Sequence, residues 1–252
     1  MHWFYVENRK ISEKQIKITG ADVNHIRNVL RMEIGEHLTI CDGQGKDYFC
    51  AIAQLEQDCV IADILDINDT ESELPVKIYL FQGIPKKDKM ELIIQKAVEL
   101  GVYEVVPVAM KRCVAKIEDG KKEKKKLERW QAISTSAAKQ SGRGMIPKVQ
   151  SVMSFQEALE RAKALDCAIV PYELAEGMSG SQRTVQKACS GKSIGVFIGP
   201  EGGFDDKEIE QVKAAGFQIM SLGKRILRTE TAGLTILSIL MFQLELQQEQ
   251  EK

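Results

Sequence analysis

Histidine is scarce in this chain, at three among 252 residues, and the six cysteines contain no Cys-x-x-Cys pair. Zinc sites draw on His and Cys at short fixed spacings, so no metal centre is expected. Long apolar runs are missing too. The longest lies near the C-terminus, is broken by Gly233, Thr235 and Ser238, and is too short to span a bilayer. The first residues, Met1-His2-Trp3-Phe4-Tyr5-Val6-Glu7, carry neither a basic segment nor a cleavage site, so no export signal and no membrane partner are expected. Cys41, Cys50, Cys59, Cys167 and Cys189 fall in apolar stretches and read as reduced, buried thiols of a cytoplasmic protein. Cys113 alone sits beside a clear positive charge, Arg112, which could lower its pKa. Neither Gly-x-x-x-x-Gly-Lys-Ser/Thr nor Gly-x-Gly-x-x-Gly occurs. Their absence turns the reading away from P-loop enzymes, Rossmann-type methyltransferases and dinucleotide enzymes.

Net charge is also nearly absent, at −1, but its distribution is uneven. Residues 1–73 hold 7 Lys/Arg against 14 Asp/Glu, whereas residues 111–148 hold 12 against 4. The basic window includes Lys121-Lys122-Glu123-Lys124-Lys125-Lys126. Such a window is either a solvated helix face or a footprint for RNA phosphates, and its composition does not choose between them.

Glycine, by contrast, is concentrated where it matters. Ile194-Gly195-Val196-Phe197-Ile198 reads as a buried strand that breaks into Gly199-Pro200-Glu201-Gly202-Gly203-Phe204. Such a turn lets a ligand approach bare backbone. Glu201 would repel a phosphate there, so the turn suits a neutral or cationic ligand. A second segment follows, Leu222-Gly223-Lys224-Arg225-Ile226-Leu227-Arg228-Thr229-Glu230-Thr231-Ala232.

Up to about residue 70 the pattern is of short strands, with one helix expected over 21–31 whose stripe is Val23, Ile26, Val29 and Leu30. Five strands and a helix suggest a small β-barrel. The polar, proline-ended stretch 69–75 marks a boundary, giving domains 1–72 and 73–252. Beyond it strands and helices alternate, with strands at 76–84, 105–109, 168–170, 194–198 and 217–222. Helices are expected at 86–100, 121–141, 155–164, 205–215 and 229–246. That alternation predicts an α/β domain with a mostly parallel sheet, whose ligands bind outside the carboxyl ends of its strands. The last helix is apolar on too many faces for a surface helix, so it is either wrapped by its own domain or packed on a second subunit. Trp3 and Trp130 read as core or interface residues, and His25 as an ordinary surface or core histidine.

Together the two glycine-bearing segments resemble the C-terminal signature of the SPOUT superfamily, and more narrowly the RsmE family of ribosomal small-subunit RNA methyltransferases. His25-Ile26-Arg27-Asn28-Val29-Leu30-Arg31-Met32, Lys89-Met90-Glu91, Glu99-Leu100-Gly101-Val102, Arg112-Cys113 and Gln140-Ser141-Gly142-Arg143 fit the same family in order. The resemblance implies a PUA-like barrel followed by an α/β domain with a deep C-terminal trefoil knot, a feature that periodicity cannot reveal. It also implies a homodimer, S-adenosyl-L-methionine as cofactor, and methylation of N3 of a uridine in small-subunit ribosomal RNA, free or in the assembled subunit. The implied cofactor contacts are Tyr172 and Glu173 on one loop, Ile198, Gly199, Pro200, Glu201 and Gly202 on the next, and Leu222, Gly223, Ile226 and Leu227 on a third. Thr229, Thr231 and Ala232 complete the set at a helix start. Charge developing on the uracil carbonyls calls for a guanidinium, with Arg228 first and Arg143 second. Glu230 is a candidate acceptor of the N3 proton, although a first-turn carboxylate has an equally good structural explanation. Arg9, Arg27, Arg31, Arg112, Gln140 and Arg143 are expected RNA contacts, Arg27 and Arg31 as neighbours on one helix face. Two rivals stay open: a SPOUT enzyme acting on transfer RNA or a ribose 2′-hydroxyl, and a non-catalytic RNA-binding protein.

Overall fold

The computed structural model describes residues 2–6, 10–114, 120–175 and 177–251. By contacts the chain divides into two units, Met1–Glu73 with Ala138–Ile146, and Leu74–Ala137 with Pro147–Lys252.

In the first unit five strands, β1 (His2–Tyr5), β2 (Gln15–Thr19), β3 (His37–Cys41), β4 (Lys46–Leu55) and β5 (Cys59–Asp69), form one sheet in the order β1-β3-β4-β5-β2. β1 runs parallel to β3 and the other pairs are antiparallel. Alternation does the sorting: Ile16 and Ile18 point inward from β2 while Gln15 and Lys17 face out. Their apolar faces meet Phe4, Ile26, Leu38, Ile40, Ile52 and Val60 in one core. Register shifts after Phe49 and Ile52 are the kind of irregularity that bends a strand pair. Among the described residues the pairing is an open path with β1 and β2 at its edges rather than a closed ring.

The helix expected over 21–31 takes a different form. α1 covers only Ala21–Asn24, and a π-helical turn follows over His25–Val29. The wider turn changes the phase of the stripe, so Val23 and Ile26 are buried while Val29 is 62% exposed. Arg31 lies beyond the helix with φ at 55°, so it does not share a helix face with Arg27.

The second unit holds a sheet in the order β12-β10-β11-β6-β7-β8, with a short β9 also on β7, and every pairing in it is parallel. Its strands are β6 (Lys77–Gly83), β7 (Glu104–Ala109), β8 (Lys148–Val149), β9 (Met153–Ser154), β10 (Cys167–Pro171), β11 (Ser193–Ile198) and β12 (Gln218–Met220). Apolar runs over residues 105–109 of β7 and 194–198 of β11 fit strands covered on both faces. Phe81 and Phe197 stack across β6 and β11 with centroids 4.4 Å apart. The helices are α2 (Lys89–Glu99), α3 (Gly120–Gln140), α4 (Phe155–Ala162), α5 (Met178–Cys189), α6 (Asp206–Ala214) and α7 (Thr229–Glu251). Capping boxes start α4 (Ser154 with Glu157) and α6 (Asp205 with Glu208), satisfying backbone donors that would otherwise be orphaned. On α7, Ile236, Leu237, Leu240 and Leu244 are buried, yet Phe242 is 66% exposed. Among the described residues no helix is long and apolar enough to cross a membrane.

Candidate functional site

Because β10, β11 and β12 are parallel neighbours, the loops that leave their carboxyl ends emerge together. Those loops, with the start of α7, enclose a cavity of about 380 Å³. That volume falls in the range of pockets that hold small molecules and cofactors.

The β11 loop is built by glycine. Gly203 has φ at 68° and its N–H closes a turn onto the Pro200 carbonyl at 2.9 Å. A Cβ on Gly199 would lie 3.1 Å from the Gly203 carbonyl carbon, and one on Gly83, at the end of β6, 2.7 Å from the Pro200 nitrogen. Thr229 fastens the loop to α7: its hydroxyl donates to the Gly199 carbonyl at 2.6 Å and accepts from Gln82 Nε2 at 2.9 Å. The β12 loop turns at Gly223, whose φ is 114°.

Electrostatics centre on Glu201. Its carboxylate accepts from the Lys86 N–H at 3.1 Å and pairs with Lys89 Nζ at 3.2 Å. Burial works against its charge, but the N–H groups of Glu201 and Lys86 together with Lys89 prevail and hold its carboxyl below the usual range. Lys89 also lies 3.3 Å from Glu230 Oε2, a buried atom with no hydrogen-bond donor among the described residues. The contact meets an ion-pair distance without hydrogen-bond alignment. Glu201 first, and Glu230 with it, raise the pKa of Lys89.

All the cofactor contacts expected from the sequence line this cavity except Gly202 and Thr231. Gly202 instead faces Arg112, whose guanidinium donates to its carbonyl at 3.1 Å. Arg228 lines the cavity, is exposed, and its guanidinium has no protein partner among the described residues. Glu230 is not a lining residue. Arg143 belongs to the first unit, where it is 3% exposed and pairs twice with Glu73, at 2.8 Å and 2.5 Å. Its carbonyl accepts from the Tyr5 hydroxyl.

Among the other expected RNA contacts, Arg27 is exposed and donates to the carbonyls of Glu56 and Gln57, and Gln140 is an exposed residue at the end of α3. Arg31 is exposed, and Arg9 lies outside the described residues. Cys113 departs from expectation. Burial pushes its thiol up, and its sulfur accepts from the Met110 N–H at 3.3 Å. The Arg112 charge goes instead to Gly202 and Asp205. The expected contacts did not include Lys89, Pro171, Gly203, Phe204, Ser221 or Arg225, which also line the cavity. Lys89 stood in a recognised motif but carried no role there, because nothing local announces contact with a loop more than a hundred residues on.

A family model described as an RNA methyltransferase domain matches residues 72–241, and one described as an RNA methyltransferase PUA domain matches residues 18–65. The chain is 40% identical over 232 residues to the ribosomal RNA small subunit methyltransferase E of Bacillus subtilis (strain 168), covering 91% of this chain and 90% of the relative. Its counterpart in Mesomycoplasma hyopneumoniae (strain 232) is 35% identical over 238 residues, covering 94% of this chain and 98% of the relative. Among solved structures, the ribosomal RNA small subunit methyltransferase E from Neisseria gonorrhoeae bound to S-adenosyl methionine superposes with a TM-score of 0.79. It is 34% identical, with 96% of this chain and 98% of that chain covered.

Proposed function

The chain belongs to the ribosomal RNA small subunit methyltransferase E family, and on that premise we propose that it transfers the methyl group of S-adenosylmethionine to N3 of a uridine in small-subunit ribosomal RNA. One observation carries the reading: the cavity formed by the loops after β10, β11 and β12 offers bare glycine backbone beside carboxylates. The fit to the cofactor is chemical. Gly203 and Gly223, both at positive φ, leave backbone open to an adenine edge. Glu201 and Glu173 suit a ribose diol and a cation.

When bound, S-adenosylmethionine supplies an electrophilic methyl group on a sulfonium that leaves as a neutral thioether. The chain's own part is to bind, orient and stabilise charge. The loop held by Thr229 and Gln82 fixes the cofactor wall before binding, so little ordering remains to be done. As N3 gives up its proton, negative charge spreads to the flanking carbonyls, and the guanidinium of Arg228 is read as the group that receives it, a role supported by its position on the cavity wall with no polar partner among the described residues. For Arg143 the pair with Glu73 supports a structural role, holding 138–146 within the first unit.

The same reading extends to architecture. The second unit is read as a SPOUT domain, with the segment before α7 threaded into a trefoil knot, and residues 1–72 as a PUA-like module that grips RNA. A homodimer would cover Ile239, Phe242 and Leu246 of α7, the exposed apolar positions of an otherwise core-forming helix. The setting is cytoplasmic, where ribosomal RNA is. Incubation of the purified protein with S-adenosylmethionine and small subunits lacking the modification tests the function. Mass spectrometry should then find one methyl group at uridine N3; transfer to a ribose, to transfer RNA, or to nothing would refute it.

A further inference from the structure

Lys89 is placed where a lysine should not be comfortable. It is the first residue of α2, and a cation at a helix N-terminus opposes the helix dipole. The residue before the cap, Lys87, takes φ at 56°, a conformation that costs a non-glycine residue free energy. Those two unfavourable features have one result. The chain turns so that the Lys86 N–H and the Lys89 ammonium both reach Glu201, while the same ammonium reaches Glu230 on α7.

The two carboxylates are not equivalent. Glu201 lines the cavity, has backbone donors of its own, and is only partly dependent on Lys89. Glu230 does not line it, and its buried Oε2 has Lys89 as its charged partner. Lys89 itself is a wall residue. Lys89 thus borders the cavity and Glu230 does not, which is poor geometry for Glu230 to receive a proton directly. It is good geometry for a fixed cation. Arg228 and Arg225 also line the cavity but form no ion pair with a carboxylate among the described residues, whereas Lys89 is held by two.

Resting on the functional reading above, we propose that Lys89 is a catalytic residue that donates a hydrogen bond to a uracil carbonyl of the substrate, with Glu230 as the positioning residue that holds it. In the step, the N3–H bond breaks and the proton leaves to solvent water. The N3 electron pair forms the bond to the methyl carbon, and the carbon–sulfur pair departs with sulfur. Negative charge shared by N3 and its carbonyls in the transition state falls against the Lys89 ammonium. A preorganised donor of this kind typically contributes about a hundredfold in rate.

The experiment compares wild type, Lys89→Met, Lys89→Arg, Glu230→Gln and the Lys89→Met/Glu230→Gln pair, each checked for folding by thermal melt. Calorimetry measures S-adenosylmethionine affinity, and single-turnover assays at saturating cofactor measure transfer to RNA carrying either uridine or 5-fluorouridine at the target. Lys89→Met should lower transfer to uridine about a hundredfold while leaving cofactor affinity within a few-fold, and Lys89→Arg should recover part of the rate. With 5-fluorouridine, whose N3 proton is more acidic, the loss should shrink. Glu230→Gln should cost less than Lys89→Met, and the double variant no more than Lys89→Met alone. Multiplying losses would make Glu230 an independent base and overturn the proposal. So would a loss confined to cofactor affinity, or one equal for the two bases. A wild-type protein that binds the cofactor yet does not methylate N3 would instead remove the functional reading beneath it.

Discussion

Arg228 and Gly83 act on the site in different ways, one through charge and the other through space. The Arg228 guanidinium on the cavity wall has no hydrogen-bond or ion-pair partner among the described residues, so Arg228→Ala removes none of their side-chain polar contacts. The variant should keep S-adenosylmethionine affinity while the rate of methyl transfer falls by about 3 kcal/mol of barrier, measured by calorimetry and single-turnover kinetics. Gly83 never touches the cavity, but a methyl group there would sit 2.7 Å from the backbone nitrogen of Pro200. The β11 loop would have to move. Gly83→Ala should therefore weaken cofactor binding at least tenfold in a protein whose circular dichroism is unchanged, and unaltered affinity would mean the loop has slack.

At the scale of elements, the stretch from Glu201 to Glu208 hangs on carboxylates. Lys111 above all holds the Asp205 carboxyl below the usual range, and that carboxylate also caps α6. Glu201 is depressed as well, its N–H donors and Lys89 outweighing burial. A depressed carboxylate stabilises the fold fully above its unfolded pKa, about 4, and loses that contribution as pH falls through the lower folded value. Thermal stability should accordingly drop on acidification below about pH 4, the β11 loop exchanging its amides first. Helix α7 carries a different expectation. Phe242 and Ile239 are exposed beside a buried stripe of Ile236, Leu237, Leu240 and Leu244. If a second copy covers them, the Ile239→Lys/Phe242→Lys variant should sediment as a monomer, whereas the parent sediments as a dimer; an unchanged sedimentation coefficient would place the interface elsewhere.

At the scale of the whole chain the proposed function gives the two units different duties, and the segment Ala138–Ile146 belongs by contacts to the first. In chain order it interrupts the second unit, between Ala137 and Pro147, yet its hydrogen bonds reach Tyr5, Cys41, Gly45 and Glu73. All residues lining the cavity read as the cofactor site belong to the second unit. A chain beginning at Leu74 should thus bind S-adenosylmethionine with nearly unchanged affinity but fail to methylate ribosomal RNA. It should also become sensitive to protease within 138–146, where the Glu73 carboxylate no longer meets Arg143 and the Gly144 N–H. Normal methylation by the shortened chain would make residues 1–73 dispensable.

Strand and helix positions in the second unit were readable because buried parallel strands announce themselves as apolar runs; β11 at Ser193–Ile198 and β6 at Lys77–Gly83 fall where the pattern put them. The glycine loops were legible for a related reason, since few residues can turn where Gly203 and Gly223 turn. Helix α5 went unread: Met178–Cys189 begins with Met-Ser-Gly-Ser and carries too few apolar residues for a clear stripe. The π-helical turn at His25–Val29 was hidden too, because its phase is set by burying Ile26 rather than by local preference. Tertiary structure alone decided the partners of charge. Lys89 meets Glu201 and Glu230, and Arg143 meets Glu73, across sequence distances over which composition and periodicity carry no information. Periodicity reports which face of an element is buried; which charges end up facing one another depends on how those elements pack.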